Sequence, residues 1–418
     1  MIQAFYTGVS GLMSQQSAID VTSNNIANVS TVGFRGYNTE FASLFETAVN
    51  TDSGFSSVNS GIGIGSRVQT SSMNQTDGSL MLSERNTDLA IYGDGWFGIS
   101  GNSQTAYTRA GNFTFDKNND LVTPDGYFVL GTMGKNISND VLVSSSAETL
   151  LNSASSQTPL RFPNVLTYPP EATTQASFQA NLGVLDESRT VSAGVIDSTG
   201  VKNNLKLTFS KSATQVPPGA QWDVVATVGS LDGATIYSTQ SGVVSFDATG
   251  AQISNTLTSI DNKGTAVAID LGENYSGIVS TNGTISGGSS TSNGTIGGDL
   301  VGYEINRNAD VIATFTNGKQ SSVGRIGVFH FQNEQGLDRV DGTKFAESSN
   351  SGKPIFYQDT NGKNILGAEV INYKLENSNV SLESALTELI IFQRTFDASG
   401  KIVTAADEML QKALGMHK

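Results

Sequence analysis

The sequence has no cysteine, which excludes disulfides and thiolate metal sites. That absence also fits a chain working outside the cell without covalent staples. Histidine is nearly as scarce: His330 and His417 are the only two, too few for a histidine metal cluster. No Lys/Arg cluster stands out and the net charge is −14, so nucleic acid and anionic membrane surfaces are poor partners. No window approaches the roughly 18 consecutive apolar residues of a membrane span. The N-terminus shows no basic n-region followed by an apolar h-region. The expectation is therefore no membrane insertion and, if the chain is exported, an N-terminus left uncleaved. Hydrophobic residues are also modest, at 37%.

What is abundant is glycine, at 45 of 418 residues, with Ser, Thr and Asn. This mixture suits short strands joined by many turns. The two ends differ from the rest. Ile2, Phe5, Val9, Leu12, Gln16, Ile19, Ser23 and Ile26 step by three and four, a heptad-like seam on a helix of about 40 Å. Asn24 to Gly36 then supplies stop signals. Leu382, Ala385, Leu389, Phe392, Phe396, Ser399, Val403, Ala406, Leu410 and Ala413 repeat the pattern over about 50 Å, with Ser381 as N-cap and Glu383 in the first turn. Gly8, Gly11 and Gly400 interrupt these helices, each at a cost of roughly 1 kcal/mol. The expectation is a helix pair that is marginal in one chain and completed by neighbouring copies. The plainer alternative is two helices packing on each other within one molecule.

Between the ends, "LKLTFS" (205–210), "WDVVAT" (222–227) and "VIATFT" (311–316) alternate as half-buried strands. Asn118-Asn119, Thr249-Gly250, Asn317-Gly318 and Asn361-Gly362 mark turns. Two low-complexity stretches, 144–158 and 280–298, read as loose connections. The fold class expected is mainly β with N- and C-terminal α-helical coiled coil, in discontinuous nested domains. Residues 1–28 and 379–418 form the helical domain, and 29–74 with 373–378 the connection. Residues 75–150 with 298–372 form a middle β domain, and 151–297 an inserted outer β domain.

Three features imitate chemical sites. Gly93 to Gly98 matches G-x-G-x-x-G, but "ISGNSQTAYTRAG" follows where a dinucleotide site needs a helix. Asp116, Asn118 and Asp120 resemble the start of a calcium loop, yet Leu121 and Tyr127 occupy the positions that need Gly and Glu. His330 lies in the strand-like "GRIGVFHF" with no nucleophile motif. The expectation is no enzyme, no cofactor and no metal.

"SNNIANVSTVGFRGYNTEF" (23–41) closely resembles the N-terminal signature of the bacterial flagellar rod and hook family, carried here by Asn24, Asn25, Ile26, Asn28, Gly33 and Phe34. "SNVSLESALTELIIFQRTFDASGKIVTAADEML" (378–410) resembles its C-terminal signature, with Asn379, Gln393 and Arg394. "TDLAIYGDGWF" and "YTRAGNFTFDKNNDLVTPDGYFVLG" are similar to the shared core segment. The insertion resembles the outer domain of the hook branch, and 298–337 the return segment.

The resemblance implies a structural subunit polymerising into a curved, flexible helical tube, a universal joint that passes motor torque to the filament. It implies as polymerisation seam Ile2, Phe5, Val9, Leu12, Ile19, Ile26, Leu382, Leu389, Phe392, Phe396, Val403 and Leu410. Phe5 and Val9 also resemble a short export signal. The implied partners are further copies of the chain, rod, hook-cap and hook–filament junction proteins, and the type III export apparatus. The implied location is extracellular. A straight distal rod subunit, or a secreted β-rich adhesin or glycan-binding module, are the rival readings. Phe396 to Gly400 departs from the family, where Tyr and Asn are usual, and the segment 41–74 is the least defined.

Overall fold

The computed structural model describes residues 2–45, 63–101, 104–183, 187–282 and 288–415. Helices occupy both ends, α1 (Ile2–Ala27) and α2 (Leu382–Gly415). Apart from two short 3₁₀ turns, the described chain between them is strand, turn and loop. The helices lie antiparallel. A Cβ placed on Gly8 would sit 2.8 Å from Val403 Cγ2, and one on Gly11 would sit 3.0 Å from Ser399 Oγ. These glycines therefore serve a close crossing rather than a weak helix, because only a bare backbone lets the two helices approach so nearly. The two ends clasp each other within one chain, as the plainer alternative above has it. α2 starts as expected, with the Ala385 amide donating to the Ser381 carbonyl at 2.9 Å.

The expected α2 seam faces α1. Ala385 and Ala406 are buried, and Leu389, Phe392, Phe396, Val403 and Leu410 are half-buried. Leu382 departs from it, at 46% exposed. On α1 the seam is displaced. Phe5, Val9, Leu12, Ile19 and Ile26 are only half-buried, whereas Gly8, Ser14, Ala18, Thr22 and Asn25 are buried. At 100° per residue these small residues form a face about 120° away from the seam. Gly8 faces α2, and a β-hairpin takes the rest of that face, formed by β1 (Tyr37–Phe45) and β2 (Gly63–Met73), which pair antiparallel. Ser14 and Ser66 hydroxyls lie 2.9 Å apart, and the Phe41 and Phe392 rings meet edge to face at 6.1 Å. The side chain of Ile2, residues 46–62 of the least defined segment, and His417 lie outside the described residues.

Above the helices, one large sheet draws on two distant parts of the chain. Strand Gln320–Ile326 pairs with Phe128–Met133, which pairs with Trp96–Gly101. Their core holds Phe97, Phe113, Val129, Val311, Phe315 and Ile326, all at most 2% exposed. A second core lies between two further sheets. One runs Ser188–Ile196, Lys202–Lys211, Ala220–Gly229, Ile236–Phe246, Gln252–Asn255, and the other is built around Gln175–Asn181. Leu205, Leu207, Phe209, Trp222, Val224 and Ala226 point into it as the alternation predicts, each at most 1% exposed. Each such fully buried Leu or Phe contributes roughly 1.5–3 kcal/mol.

Two expectations shift. Thr158–Pro159 pairs with Leu130 and Gly131, and Thr167–Tyr168 pairs with Gly298 and Asp299. Residues 158–168 thus join the large sheet, although the expected outer domain starts at 151. The connection at 280–298 is also not loose throughout. Ser289–Ser292 forms a strand on Gln175–Asn181, and the Ser290 and Ser292 hydroxyls donate to the carbonyls of Ser192 and Gly194 at 2.7 Å. Serine-rich composition reads as a linker, yet its hydroxyls here satisfy the neighbouring strand Ser188–Ile196. Residues 283–287 lie outside the described set.

Candidate assembly site at the helix-to-body junction

The asparagines that end α1 hold the turn by imitating backbone. Asn25 is buried. Its Oδ1 accepts the Tyr37 amide at 3.0 Å and its Nδ2 donates to the Tyr37 carbonyl at 2.7 Å. Asn28 Nδ2 donates back to the Asn24 carbonyl at 2.9 Å and to Asn24 Oδ1 at 2.7 Å, absorbing groups the helix end leaves open. Asn379, before α2, does the same from the other end. Its Oδ1 accepts the Gly36 amide at 2.8 Å, and its Nδ2 donates to the Asn74 and Thr76 carbonyls at 2.9 and 2.8 Å.

Gly33 has φ +67°, and a Cβ there would lie 2.3 Å from the Ala110 amide nitrogen. Only glycine both accepts that conformation and lets the two backbones touch. Its amide donates to the Glu376 carbonyl at 2.8 Å. Phe34 is buried beside it, with the Arg339 guanidinium 5.3 Å above its ring.

Sequence reading missed the charged residues beneath this joint. Arg35, Asp77, Arg109 and Glu376 converge there, with Glu376 within 2.9 Å of Arg35 and 3.3 Å of Arg109. Burial holds the Arg109 guanidinium below its ordinary range and Arg35 repels it further, while Glu376 and Asp77 oppose both effects. Arginines set among small residues in "GFRG" and "YTRAG" were the one available hint, and it carries no information about their partners. The signature residues Gln393 and Arg394 lie elsewhere, exposed on α2.

The imitated sites have other uses. Strand Trp96–Gly101, not a helix, follows Gly95, and Gly95 and Gly98 lie against Val328 and Phe329. Asp116 Oδ1 accepts the amides of Asn118 and Asp120 at 2.8 and 2.9 Å, so that carboxylate shapes its own turn. His330 is buried, its Nε2 2.6 Å from the Leu366 carbonyl and its ring against Tyr357. Burial holds its pKa below the ordinary value, partly offset by that bond. Among the described residues no group of His, Asp or Glu could hold a metal ion, and no helix is long and apolar enough to cross a membrane.

The helical hairpin keeps much apolar surface uncovered. On α2, Leu386 (43%), Ile390 (58%), Ile391 (55%), Ile402 (46%) and Met409 (54%) are exposed, as are Tyr6 (62%) and Met13 (67%) on α1. Ile391, Ala398, Ile402, Ala405 and Met409 repeat at seven, four, three and four residues, a second stripe beside the one facing α1.

A clasped pair of end helices with an exposed apolar face, joined to two β cores, has the architecture of a structural subunit. Residues 5–35 match the flagella basal body rod protein family, 90–157 the flagellar hook protein FlgE/F/G D1 domain, and 372–416 the flagellar basal body rod FlgEFG protein C-terminal region. The chain is 27% identical over 475 residues to flagellar hook protein FlgE of Treponema pallidum, covering 100% of both chains. It is 26% identical over 441 residues to FlgE of Salmonella typhimurium, covering 99% of this chain and 100% of that one. Its fold is similar to the crystal structure of Helicobacter pylori flagellar hook protein FlgE2, with TM-score 0.52 and 18% identity over 71% of this chain and 100% of that one. The similarity along the whole chain supports reading it as a structural subunit of the flagellar hook.

Proposed function

We propose that copies of this chain polymerise through their helical hairpins into a hollow, curved tube that works as a universal joint between motor and filament. The observation carrying this reading is the stripe Ile391–Ala398–Ile402–Ala405–Met409, apolar along its length and exposed among the described residues, with Ile402 alone bordering Gly8 of α1. Two hairpins that bury such stripes against each other gain roughly 1.5–3 kcal/mol per fully covered side chain. Phe5, Val9, Leu12, Ile19 and Ile26, half-buried on α1, are shared with neighbouring copies. Leu389, Phe392, Phe396, Val403 and Leu410 act indirectly, by holding the hairpin in shape. Gln393 and Arg394, exposed on α2, contact copies rather than their own chain.

The large sheet forms the middle domain and the paired sheets the outer one, joined near 171 and 295. The outer domains meet neighbours through polar contacts that slide as the tube turns. A large inserted domain favours the hook over the straight rod. The whole-chain match to hook proteins favours it over an adhesin. Subunits leave the cell through the type III apparatus with Phe5 and Val9 in the export signal, and contact rod, cap and hook–filament junction proteins outside it.

Electron microscopy of the concentrated protein tests the reading. The native chain forms short curved tubes, and Ile391→Asp with Ile402→Asp abolishes them while circular dichroism retains the native helix content. Tubes of native shape from the double variant would remove the stripe from the interface.

A further inference from the structure

The four charges beneath the hairpin come from four separate stretches. Arg35 follows α1, Asp77 follows β2, Arg109 belongs to the large sheet's domain, and Glu376 ends the strand Lys374–Glu376 that leads to α2. The side chains of Arg35, Arg109 and Glu376 are 2% exposed, and that of Asp77 is 36% exposed. Glu376 Oε1 accepts from Arg35 Nη2 at 2.9 Å and from the Gly78 amide at 3.0 Å, and its Oε2 faces Arg109 Nη1 at 3.3 Å. Asp77 Oδ1 is 3.0 Å from Arg35 and 3.6 Å from Arg109. Arg35 also donates to the Gln75 and Thr76 carbonyls, and Arg109 to the Gly93 carbonyl at 2.8 Å. The four charges balance. A balanced buried cluster adds little net stability, but removing one member leaves an uncompensated charge in low dielectric and is strongly unfavourable.

We infer that this cluster is a two-ended lock, in which Glu376 is the positioning residue that fixes the helical hairpin against the β body. Without Glu376, the two buried guanidinium groups lose their fully buried ion-pair partner and keep the more exposed Asp77, with Glu334 acting at longer range, and the joint opens. With it, the loop after α1 and the strand before α2 are held at one carboxylate. The setting of the hairpin therefore depends on both ends of the chain being docked. The lock itself is a property of the single chain. Its consequence for tube geometry rests on the assembly reading above.

Amide hydrogen exchange on the full-length monomer tests it. Glu376→Gln speeds exchange at Gly33, Gly36 and Gly78 at least tenfold, and Asp77→Asn does so by a smaller factor. Strand Lys202–Lys211, distant in the outer domain, stays protected in both. The double variant Arg109→Met with Glu376→Met restores charge balance through Arg35 and Asp77, so it exchanges more slowly at these glycines than Glu376→Gln alone. A purely packing role predicts the reverse, since more contacts are lost. Unchanged protection in Glu376→Gln, or a double variant looser than the single, overturns the lock. If Glu376→Gln yields no folded chain, the double variant decides against Asp77→Asn: slower exchange supports the lock and faster exchange refutes it. Native tubes that fail to form, with these exchange rates as expected, refute assembly and leave the lock standing.

Discussion

Asp197 is buried in the outer domain, yet it is ionised. Burial pushes its pKa up, but the Thr199 hydroxyl, the amides of Val201 and Thr199, and Asn203 pull it down further, from 3.8 to about 2. Lys263 Nζ lies 3.4 Å away. Because the folded-state value is depressed, the contribution is fully present above pH 4 and lost as pH falls from 4 towards 2. It amounts to about 2 kcal/mol. Urea unfolding followed through Trp222 in a Trp96→Phe background should lose that amount across this window, and Asp197→Asn should flatten the loss. Gly33 makes a second residue-scale prediction. Gly33→Ala should destabilise the junction by roughly 2–4 kcal/mol, read by thermal unfolding, because φ is +67° and Ala110 blocks the new methyl. The asparagine and glycine run was legible as a helix stop. Its reason was not, because Gly33 answers to Ala110 and Glu376, far away in the chain. The Arg35 network was hidden for the same cause: each charge looks solvated until four segments meet.

At the scale of elements, period was legible and orientation only partly so. Alternation placed Leu205, Leu207 and Phe209 inward, and the α2 seam faces α1, with Phe392 also meeting Phe41 of β1. The α1 seam is half-covered because that helix has two partners. α2 takes the side of Gly8, Gly11 and Leu12, and β2 takes the side of Ser10 and Ser14. Most of the β-hairpin falls within 41–74, the segment that read least clearly, so its claim on the small-residue face could not be foreseen. Gly8 follows from this geometry. Gly8→Val, whose Cβ would lie 2.8 Å from Val403 Cγ2, should force the helices apart at a cost of roughly 1–3 kcal/mol. Limited proteolysis should then cut α1 and α2 faster while the β domains resist. Leu389→Asp should open the same clasp and block polymerisation with the β body still folded. Helical ends as resistant as the native ones would contradict both.

For the whole molecule, the two β cores meet where the chain crosses twice. Glu171 and Thr295 exchange backbone hydrogen bonds of 2.8 and 2.9 Å at that crossing. Replacing 173–293 with a short glycine-serine link should therefore leave the large sheet folded, with its own cooperative melting transition. On the proposed reading the helical clasp and the junction form the base of each subunit, and the outer domain shifts about this crossing as a bent tube turns. Everything at this scale depends on where the exposed helix faces go. The most direct measurement is helical reconstruction, by electron cryo-microscopy, of polymer grown from the purified full chain. The account predicts a tube with α1 and α2 lining the bore, and Ile391, Ile402 and Met409 buried against a neighbouring hairpin. A chain that sediments as a monomer at every concentration, or a polymer with that stripe still facing solvent, would contradict it.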